Sequence, residues 1–226
     1  MRFAELDAWG LRDSVLHRRD ARAKIIATLL ILIAASRGSL VFPVLALALA
    51  LPLARLPLIP VLLRGAVVLP FSVGFAAASW MSGRPDIALF VLLRSYLSAL
   101  CVIVLLGSTQ FPAILEALRR MGAPPLLLDT IQFVYRYLSL IAEQSKRMAI
   151  AASARGARRS FTAVAGATGV LFARSYDRAE AVHRSMLARG YSGSLKPRVA
   201  AAFSAPDAVL VLASSTILLA ALLLKR

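Results

Sequence analysis

Charged residues are distributed so unevenly along this chain that long stretches carry none. Nineteen uncharged residues separate Arg64 from Arg84. Residues 87–115 contain a single charge, Arg94, and residues 208–224 contain none. A helix needs about 17–25 predominantly apolar residues to cross the hydrocarbon core of a bilayer. The pattern therefore predicts an integral membrane protein with several transmembrane helices.

The apolar stretches predict an all-α fold with about five transmembrane helices. The first is the weakest, because only 12 uncharged residues separate Lys24 from Arg37. The second contains Pro43 and Pro52. The first two segments are therefore either full spans or a tight hairpin that crosses only with the help of long flanking side chains. The predicted spans are Ala23–Ser36, Leu40–Ala54, Gly65–Met81, Ile87–Gly107 and Ala208–Leu224.

The formal net charge of +16 first suggests a nucleic-acid partner. No groove-reading or base-stacking motif accompanies the charge, so we expect no nucleic acid to bind. Lys and Arg also accumulate in the cytoplasmic segments of membrane proteins. Of the 27 Lys and Arg residues, 22 fall on one side of the predicted spans, and 14 of these lie in residues 109–206. The N-terminus and residues 109–206 are therefore predicted to be cytoplasmic in a multi-pass protein of the cell membrane.

These boundaries predict three regions along the chain. Residues 1–108 form the N-terminal cytoplasmic segment and the first four spans, residues 109–206 form a cytoplasmic region, and residues 207–226 form the last span. Ten charges among the first 24 residues are unlike a cleavable signal peptide, so the first span is expected to be an uncleaved anchor. The single cysteine, Cys101, excludes an intrachain disulfide and a thiolate metal cluster.

The cytoplasmic region is predicted to consist of long amphipathic helices. In the first helix, charges share one stripe, and Glu143 and Arg147 form a favourable pair four residues apart. The second runs from about Phe161 to Arg189 and contains the pair Glu180 and Arg184. Both helices need an apolar partner surface, which is the membrane, the spans or another subunit. The charged stripes comprise Asp129, Arg136, Glu143 and Arg147 in the first helix, and Asp177, Glu180 and Arg184 in the second. The opposite apolar faces comprise Ile131, Val134, Leu138, Ile141 and Ala149, and Val164, Leu171, Ala179, Val182 and Met186.

Each of these helices is predicted to end in the triplet Ala-Arg-Gly. Gly156 and Gly190 suit the left-handed residue that closes a helix, and Tyr191 is placed to fold back onto Met186. The arginine then lies at the last helical position, where a cation complements the helix dipole. The triplets are either simple helix ends or rigid tips that present a guanidinium to carboxylates of a partner. They are Ala154-Arg155-Gly156 and Ala188-Arg189-Gly190.

The sequence context of the triplets resembles a known transporter family. "RYLSLIAEQSKRMAIAASARG" (Arg136–Gly156) and "SYDRAEAVHRSMLARGYSG" (Ser175–Gly193) are similar to the two signature blocks of the transmembrane T component of energy-coupling-factor (ECF) transporters. Leu118–Phe133 and Leu16–Leu30 resemble further stretches of that family, although "RRDARAK" replaces a segment that often contains proline. The amino-acid sequence of the second block favours the cobalt/nickel branch, with the vitamin branch as the alternative.

The resemblance implies that the chain is a non-catalytic coupling subunit. In that family the T component bridges two cytoplasmic ABC-type ATPase subunits and a membrane substrate-capture subunit. The two helices that end in Ala-Arg-Gly are coupling helices, and each docks into one ATPase. By position, the docking residues are Ala154, Arg155 and Gly156, and Ala188, Arg189 and Gly190. ATP and Mg are bound by the ATPase subunits, so this chain is expected to bind no cofactor.

The sequence itself contains no metal or nucleotide motif. A transition-metal site requires converging His, Cys or carboxylate ligands, whereas His17 and His183 lie far apart without a motif between them. No phosphate-binding loop occurs. A self-contained channel or carrier would be expected to show paired charges or an internal repeat in its spans, and a lipid-modifying enzyme a clustered catalytic constellation. Neither pattern is present, and the coupling role remains preferred.

Arg94 is the one charge well inside a predicted span. It lies eight residues after Asp86, about 12 Å deep at helical rise. Its side chain is expected either to extend outward to the membrane surface or to contact the substrate-capture subunit.

Overall fold

The structure is a computed structural model that describes residues 14, 16–17, 19–37, 41–156, 161–193 and 204–223. Regular structure in these residues is helical, without strands, which confirms the predicted all-α fold. Residues 1–13, predicted to be cytoplasmic, lie outside the described residues. The helices are α1 (Ala21–Arg37), α2 (Val41–Ala54), α3 (Leu58–Gly65), α4 (Leu69–Met81), α5 (Pro85–Ser108), α6 (Phe111–Arg120), α7 (Pro125–Ala154), α8 (Phe161–Ala188) and α9 (Ala205–Leu223).

The chain divides into two compact units. The membrane unit comprises Met1–Met121 and Val199–Arg226 and contains α1 to α6 together with α9. The α7–α8 unit comprises Gly122–Arg198 and contains the two longest described helices. Helix α6, which lies in residues 109–206, therefore groups with the membrane unit.

Three stretches of the membrane unit are long and apolar enough to cross a bilayer. They are Leu58–Met81, Pro85–Ser108 and Ala205–Leu223. At 1.5 Å per residue, a helix of 24 residues is about 36 Å long and exceeds the hydrocarbon core. The apolar part of α2, Val44–Ala54, is shorter, and α1 has 17 residues. Among the described residues, all five predicted spans are therefore helical, and three of them have the length and composition of a full crossing.

The third predicted span begins earlier than the sequence suggested. Helix α3 starts at Leu58 and continues through a 3-10 turn at Ala66–Val68 into α4, whereas Gly65 was the predicted start. Pro70 lies in the first turn of α4, where its missing N–H and its ring disfavour the regular hydrogen bond to residue 66 and explain the turn. Arg64 consequently lies inside an apolar helical stretch rather than between two spans.

The core of the membrane unit joins α2, α3 and α5, and Gly65 permits their close approach. A Cβ atom on Gly65 would lie 2.8 Å from Cδ2 of Leu100 and 3.1 Å from the Tyr96 ring. The Tyr96 hydroxyl donates a hydrogen bond to the carbonyl oxygen of Leu62 at 3.2 Å. Small residues allow this type of contact between membrane helices. The core residues are Leu47, Leu51, Ala54, Leu56, Val61, Leu100, Cys101 and Val104.

Helices α1 and α9 contact each other and bury small or polar residues. On α1, Ala23 and Ala34 are fully buried. On α9, Asp207, Ser214 and Ala221 are buried at intervals of seven residues. Seven residues are nearly two helical turns, so these three side chains share one face.

Candidate functional site

Helix α7 ends in the first Ala-Arg-Gly triplet, as predicted. The amide of Arg155 donates to the carbonyl oxygen of Ala152 at 3.2 Å, and that of Gly156 donates to Ser153 at 3.0 Å. Gly156 has a φ of +70°, which is the left-handed conformation that favours glycine. The hydrogen bond from Gly156 to Ser153 satisfies a carbonyl that the helix end leaves unpaired.

Helix α8 ends in the second triplet with the same geometry. Gly190 has a φ of +79°, and its amide donates to the carbonyl oxygen of Leu187 at 3.0 Å. The amide of Tyr191 donates to the carbonyl oxygen of Met186 at 3.0 Å. These two bonds form a complete Schellman motif, which confirms the predicted closure of this helix.

Both arginine side chains of the triplets are exposed at the helix tips. The helices end at Ala154 and Ala188, one residue earlier than predicted, so Arg155 and Arg189 follow the last helical residue. Within the described part of the chain, neither guanidinium forms an ion pair. A guanidinium is a planar fork that binds a carboxylate through two parallel hydrogen bonds. Each tip therefore presents such a fork to solvent.

An open apolar groove of about 490 Å³ lies between α7 and α8. The side chains of Val134 and Leu138 are 60% and 49% exposed, and no residue of α8 is buried. Much of the predicted apolar face of each helix is therefore accessible to a partner surface. The groove residues that belong to the predicted faces are Val134, Leu138 and Ile141 from α7, and Ala179, Val182 and Met186 from α8.

A second cavity of the α7–α8 unit, of about 680 Å³, is strongly basic. Glu143 is its one acidic lining residue, and it is paired with Arg147, as predicted. The second predicted pair is also confirmed, since Nη2 of Arg184 lies 3.4 Å from Oε1 of Glu180. The excess positive charge favours acidic groups of a partner. The arginines that line the cavity are Arg147, Arg155, Arg174 and Arg178.

Comparison with known proteins identifies the family. Residues 13–200 match the family CbiQ, described as cobalt transport protein, and this range covers most of the chain. The chain belongs to the CbiQ cobalt transport protein family. It is also similar to the uncharacterized protein MJ1571 of Methanocaldococcus jannaschii, with 26% identity over 216 residues, 81% of this chain and 74% of that protein.

Membership of the CbiQ family agrees with the resemblance to ECF transporter T components and with a membrane protein that functions in transport. The matched range contains both Ala-Arg-Gly tips and both helices of the α7–α8 unit. The tips and the groove between their helices therefore lie within the part of the chain that matches the family.

One charged residue of this CbiQ-family chain is not where the amphipathic pattern placed it. Asp129 was predicted to lie on the water-facing stripe of α7, but it is buried, with 3% of its surface exposed. It is the fifth residue of α7, beyond the first turn of the helix. The exposed part of the stripe begins with Arg136.

The two histidines lie in different units of the chain. Nδ1 of His17 is 2.6 Å from the hydroxyl oxygen of Ser14, in the membrane unit. His183 is exposed and lines the apolar groove of the α7–α8 unit. Within the described residues, no three His, Cys, Asp or Glu side chains come together in a way that would hold a metal ion.

Arg94 lies in the second of the three long apolar stretches. Its side chain is partly buried, and its Nε atom is buried without a hydrogen-bond partner in the described structure. Contact of Arg94 with the membrane surface or with a partner subunit stays a prediction.

Sequence reasoning missed a buried polar cluster at the start of α1 and α9. Lys24 and Asp207 are only 4% and 2% exposed. The spacing of Ser204 and Asp207 is that of a capping box and was the available signal. Close to this cluster, burial acts to raise the pKa of Asp20, but hydrogen bonds from Arg22 and its positive charge outweigh burial and lower that pKa.

Proposed function

We propose that this chain is the transmembrane coupling subunit of an ECF-type ABC importer for cobalt, with nickel as the alternative cargo. It transmits ATP hydrolysis by two cytoplasmic ATPase subunits to a membrane substrate-capture subunit. ATP and Mg are bound by the ATPases and not by this chain. The observation that carries the proposal is that two long helices end in the same tip, with an exposed arginine followed by a left-handed glycine.

Two similar tips suit two similar partners. Arg155 and Arg189 each extend from the end of a helix of about 30 residues, which transmits force along its axis better than a loop does. A groove on each ATPase that contains carboxylates receives the guanidinium fork. Because both tips belong to one chain, binding of one raises the effective concentration of the other, and the assembly holds more tightly than either contact alone.

The apolar groove between α7 and α8 is the surface that we assign to the membrane substrate-capture subunit. Its exposed Val134 and Leu138 would be costly to leave in water, and large exposed apolar patches mark interaction sites. A partner seated against these two helices moves when the ATPases move the tips.

We assign cobalt as the cargo from the family. The residues of this chain agree with metal binding by a separate capture subunit. A cobalt or nickel site needs several converging ligands, and the described residues offer no such cluster. The charge in the middle of the apolar stretch Pro85–Ser108 is the cation Arg94, which repels a divalent metal ion. The capture subunit therefore supplies the metal ligands.

The proposal is tested by replacing both tip arginines with glutamate. We expect Arg155→Glu with Arg189→Glu to prevent copurification of the ATPases and to abolish ATP-dependent cobalt uptake, while the chain still inserts in the membrane. The matched control is Arg136→Glu, which reverses an exposed charge in the middle of α7 and should leave both readouts intact. Wild-type copurification and uptake in the double variant would reduce the triplets to ordinary helix ends and refute the coupling role.

A further inference from the structure

The buried polar cluster of Lys24 and Asp207 joins the start of α1 to the junction of α5 and α6 and to the start of α9. The chain leaves helix α5 at Ser108, passes through α6 and enters the α7–α8 unit at residue 122. It returns to the membrane unit at residue 199 and begins α9 after Ser204. In the chain, the α7–α8 unit is therefore joined to the membrane helices through α6 on the outgoing side and through the segment before α9 on the returning side.

On the outgoing side, Lys24 joins the junction of α5 and α6 to α1. Its Nζ atom donates to the carbonyl oxygen of Ser108 at 2.8 Å and to the hydroxyl of Thr109 at 3.2 Å. A third contact reaches the carbonyl oxygen of His17 at 3.4 Å. Ser108 is the last residue of α5, where carbonyl groups lack helical partners and the helix dipole favours a cation.

On the returning side, Asp207 joins the start of α9 to the same end of α1. Its Oδ2 atom accepts hydrogen bonds from the amide and the hydroxyl of Ser204, at 2.9 and 2.6 Å. Its Oδ1 atom accepts from the amide of Asp20 at 3.2 Å. One buried carboxylate thus holds the start of α9 and the residue that precedes α1.

Asp20 completes the link between the two sides. Its side chain accepts a hydrogen bond from the amide of Arg22 at 2.9 Å, as an N-cap residue does. Its carbonyl oxygen accepts from the amide of Lys24 at 3.3 Å. The first turn of α1 therefore connects Asp207 on the returning side to Lys24 and Thr109 on the outgoing side.

We propose that Lys24 and Asp207 are positioning residues that clamp the α5–α6 junction and the start of α9 to α1, so that movement of the α7–α8 unit, carried through α6 and through the segment before α9, is passed to the membrane helices. This inference rests on the proposed coupling function. Buried charges are no better than apolar residues for stability alone, whereas directional hydrogen bonds fix the relative positions of three chain segments. Without the clamp, the α5–α6 junction and the start of α9 separate from α1 and absorb the movement.

The test uses the complete transporter, reconstituted in liposomes with its ATPases and capture subunit. Asp207→Asn, Thr109→Val and Lys24→Met each remove part of the clamp. We expect each to lower the amount of cobalt imported per ATP hydrolysed, most strongly for Lys24→Met, while the ATPases still copurify. Loss of a hydrogen bond to a charged group shifts a local equilibrium by about ten- to a hundredfold. Hydrogen exchange at the amides of Asp20 and Ser204 should therefore accelerate by a comparable factor in Asp207→Asn.

Ser214→Ala is the matched control. This serine is as buried as Asp207 on the same face of α9, but its hydroxyl donates only to Val211 within its own helix, at 2.8 Å. Its coupling ratio should equal that of the wild type. If the Lys24→Met protein does not accumulate in the membrane, the coupling ratios of Asp207→Asn and Thr109→Val test the clamp. An unchanged ratio in both, with exchange accelerated in Asp207→Asn, overturns the clamp.

The outcomes also separate this inference from the proposed function. If the tip variants release the ATPases while the clamp variants transport normally, only the clamp is wrong. If the tip variants keep the ATPases and transport normally, the proposed function fails whatever the clamp variants do.

Discussion

The amide of Tyr191 donates a hydrogen bond to the carbonyl oxygen of Met186 at 3.0 Å and so folds the chain back over the end of α8. That bond requires Gly190 to adopt its φ of +79°. The path of the chain directly after Arg189 thus depends on a backbone conformation that residues with a Cβ atom rarely adopt.

Replacing Gly190 with alanine tests this dependence. No atom lies within 4 Å of the added Cβ, so the penalty comes from the backbone and not from a clash. We expect the left-handed conformation to cost about 1–2 kcal/mol for alanine. Amide exchange in the last turn of α8 should accelerate, and ATPase copurification should weaken.

Gly169→Ala is the control for Gly190→Ala. A Cβ atom added at Gly169 would also have no atom within 4 Å, but this glycine lies inside α8. Alanine there should stabilise the helix by about 1 kcal/mol. Equal effects of the two substitutions on exchange and on copurification would contradict the role of the left-handed glycine.

Gly65→Ala is expected to destabilise the membrane unit. The new methyl group would lie 2.8 Å from Cδ2 of Leu100, so Leu100 or the α3 backbone must shift. Overpacking of this kind typically costs about 1–3 kcal/mol. Thermal unfolding in detergent should show a lower midpoint for Gly65→Ala than for Gly74→Ala, because nothing lies within 4 Å of a Cβ at Gly74. Identical midpoints would mean that α3 and α5 adjust to the added methyl group without loss of stability.

The helices themselves were largely predictable, because their signals are local. The bounds of α8, Phe161–Ala188, follow from hydrophobic periodicity and the Ala-Arg-Gly stop. The early start of α3 was not predictable from charge, because Arg64 broke the uncharged run although the helix continues through it. A single cation is tolerated there by a side chain long enough to reach polar surroundings.

In the candidate site, likewise, the helix tips could be predicted from local sequence, whereas the buried contacts could not. The tip geometry could be predicted, since a glycine after an arginine at a helix end specifies its own conformation. The burial of Asp129 and the contact between Asp20 and Asp207 could not, because they join residues through tertiary packing. For Asp20 and Asp207 the separation is 187 positions, and no local pattern in one sequence reports such a pair.

Cysteine labelling tests the predicted topology. The charge asymmetry predicts that the α7–α8 unit is cytoplasmic, since 14 of the 27 Lys and Arg residues lie in residues 109–206. In a chain with Cys101→Ala, a cysteine at exposed Ala167 should resist a membrane-impermeant reagent applied to intact cells. A cysteine at exposed Ser82, in the turn before α5, should react. The reverse labelling pattern would invert the topology and contradict the coupling role.

Metal binding by the isolated chain is expected to be at background level. The described residues contain no cluster of ligands, and His17 already contacts Ser14. Calorimetry of the purified chain with cobalt or nickel should therefore detect no stoichiometric binding. Micromolar binding that disappears in His17→Ala or His183→Ala would place metal capture in this chain.

Conservative replacement of the tip arginines distinguishes a docking fork from a helix cap. Lysine at position 155 or 189 retains the charge that complements the helix dipole, a term of only about 0.3–1 kcal/mol at an exposed site. It loses the planar fork that binds a carboxylate at two points. If the tips merely close helices, Arg155→Lys and Arg189→Lys should behave as wild type. If each fork binds carboxylates in an ATPase groove, disrupting such a buried charged pair costs about 2–5 kcal/mol, or about thirty- to several-thousand-fold in affinity.

We expect the lysine variants to fall between wild type and the glutamate variants. Because the charge is retained, the ATPases should still bind but should dissociate faster. The double lysine variant should lose more affinity than either single variant, because the two contacts act together. Dissociation rates of the ATPases from detergent-solubilised complexes provide the measurement, with Arg136→Lys as the control. Rates equal to wild type in the double lysine variant would show that charge at the tip suffices and that the fork has no part in docking.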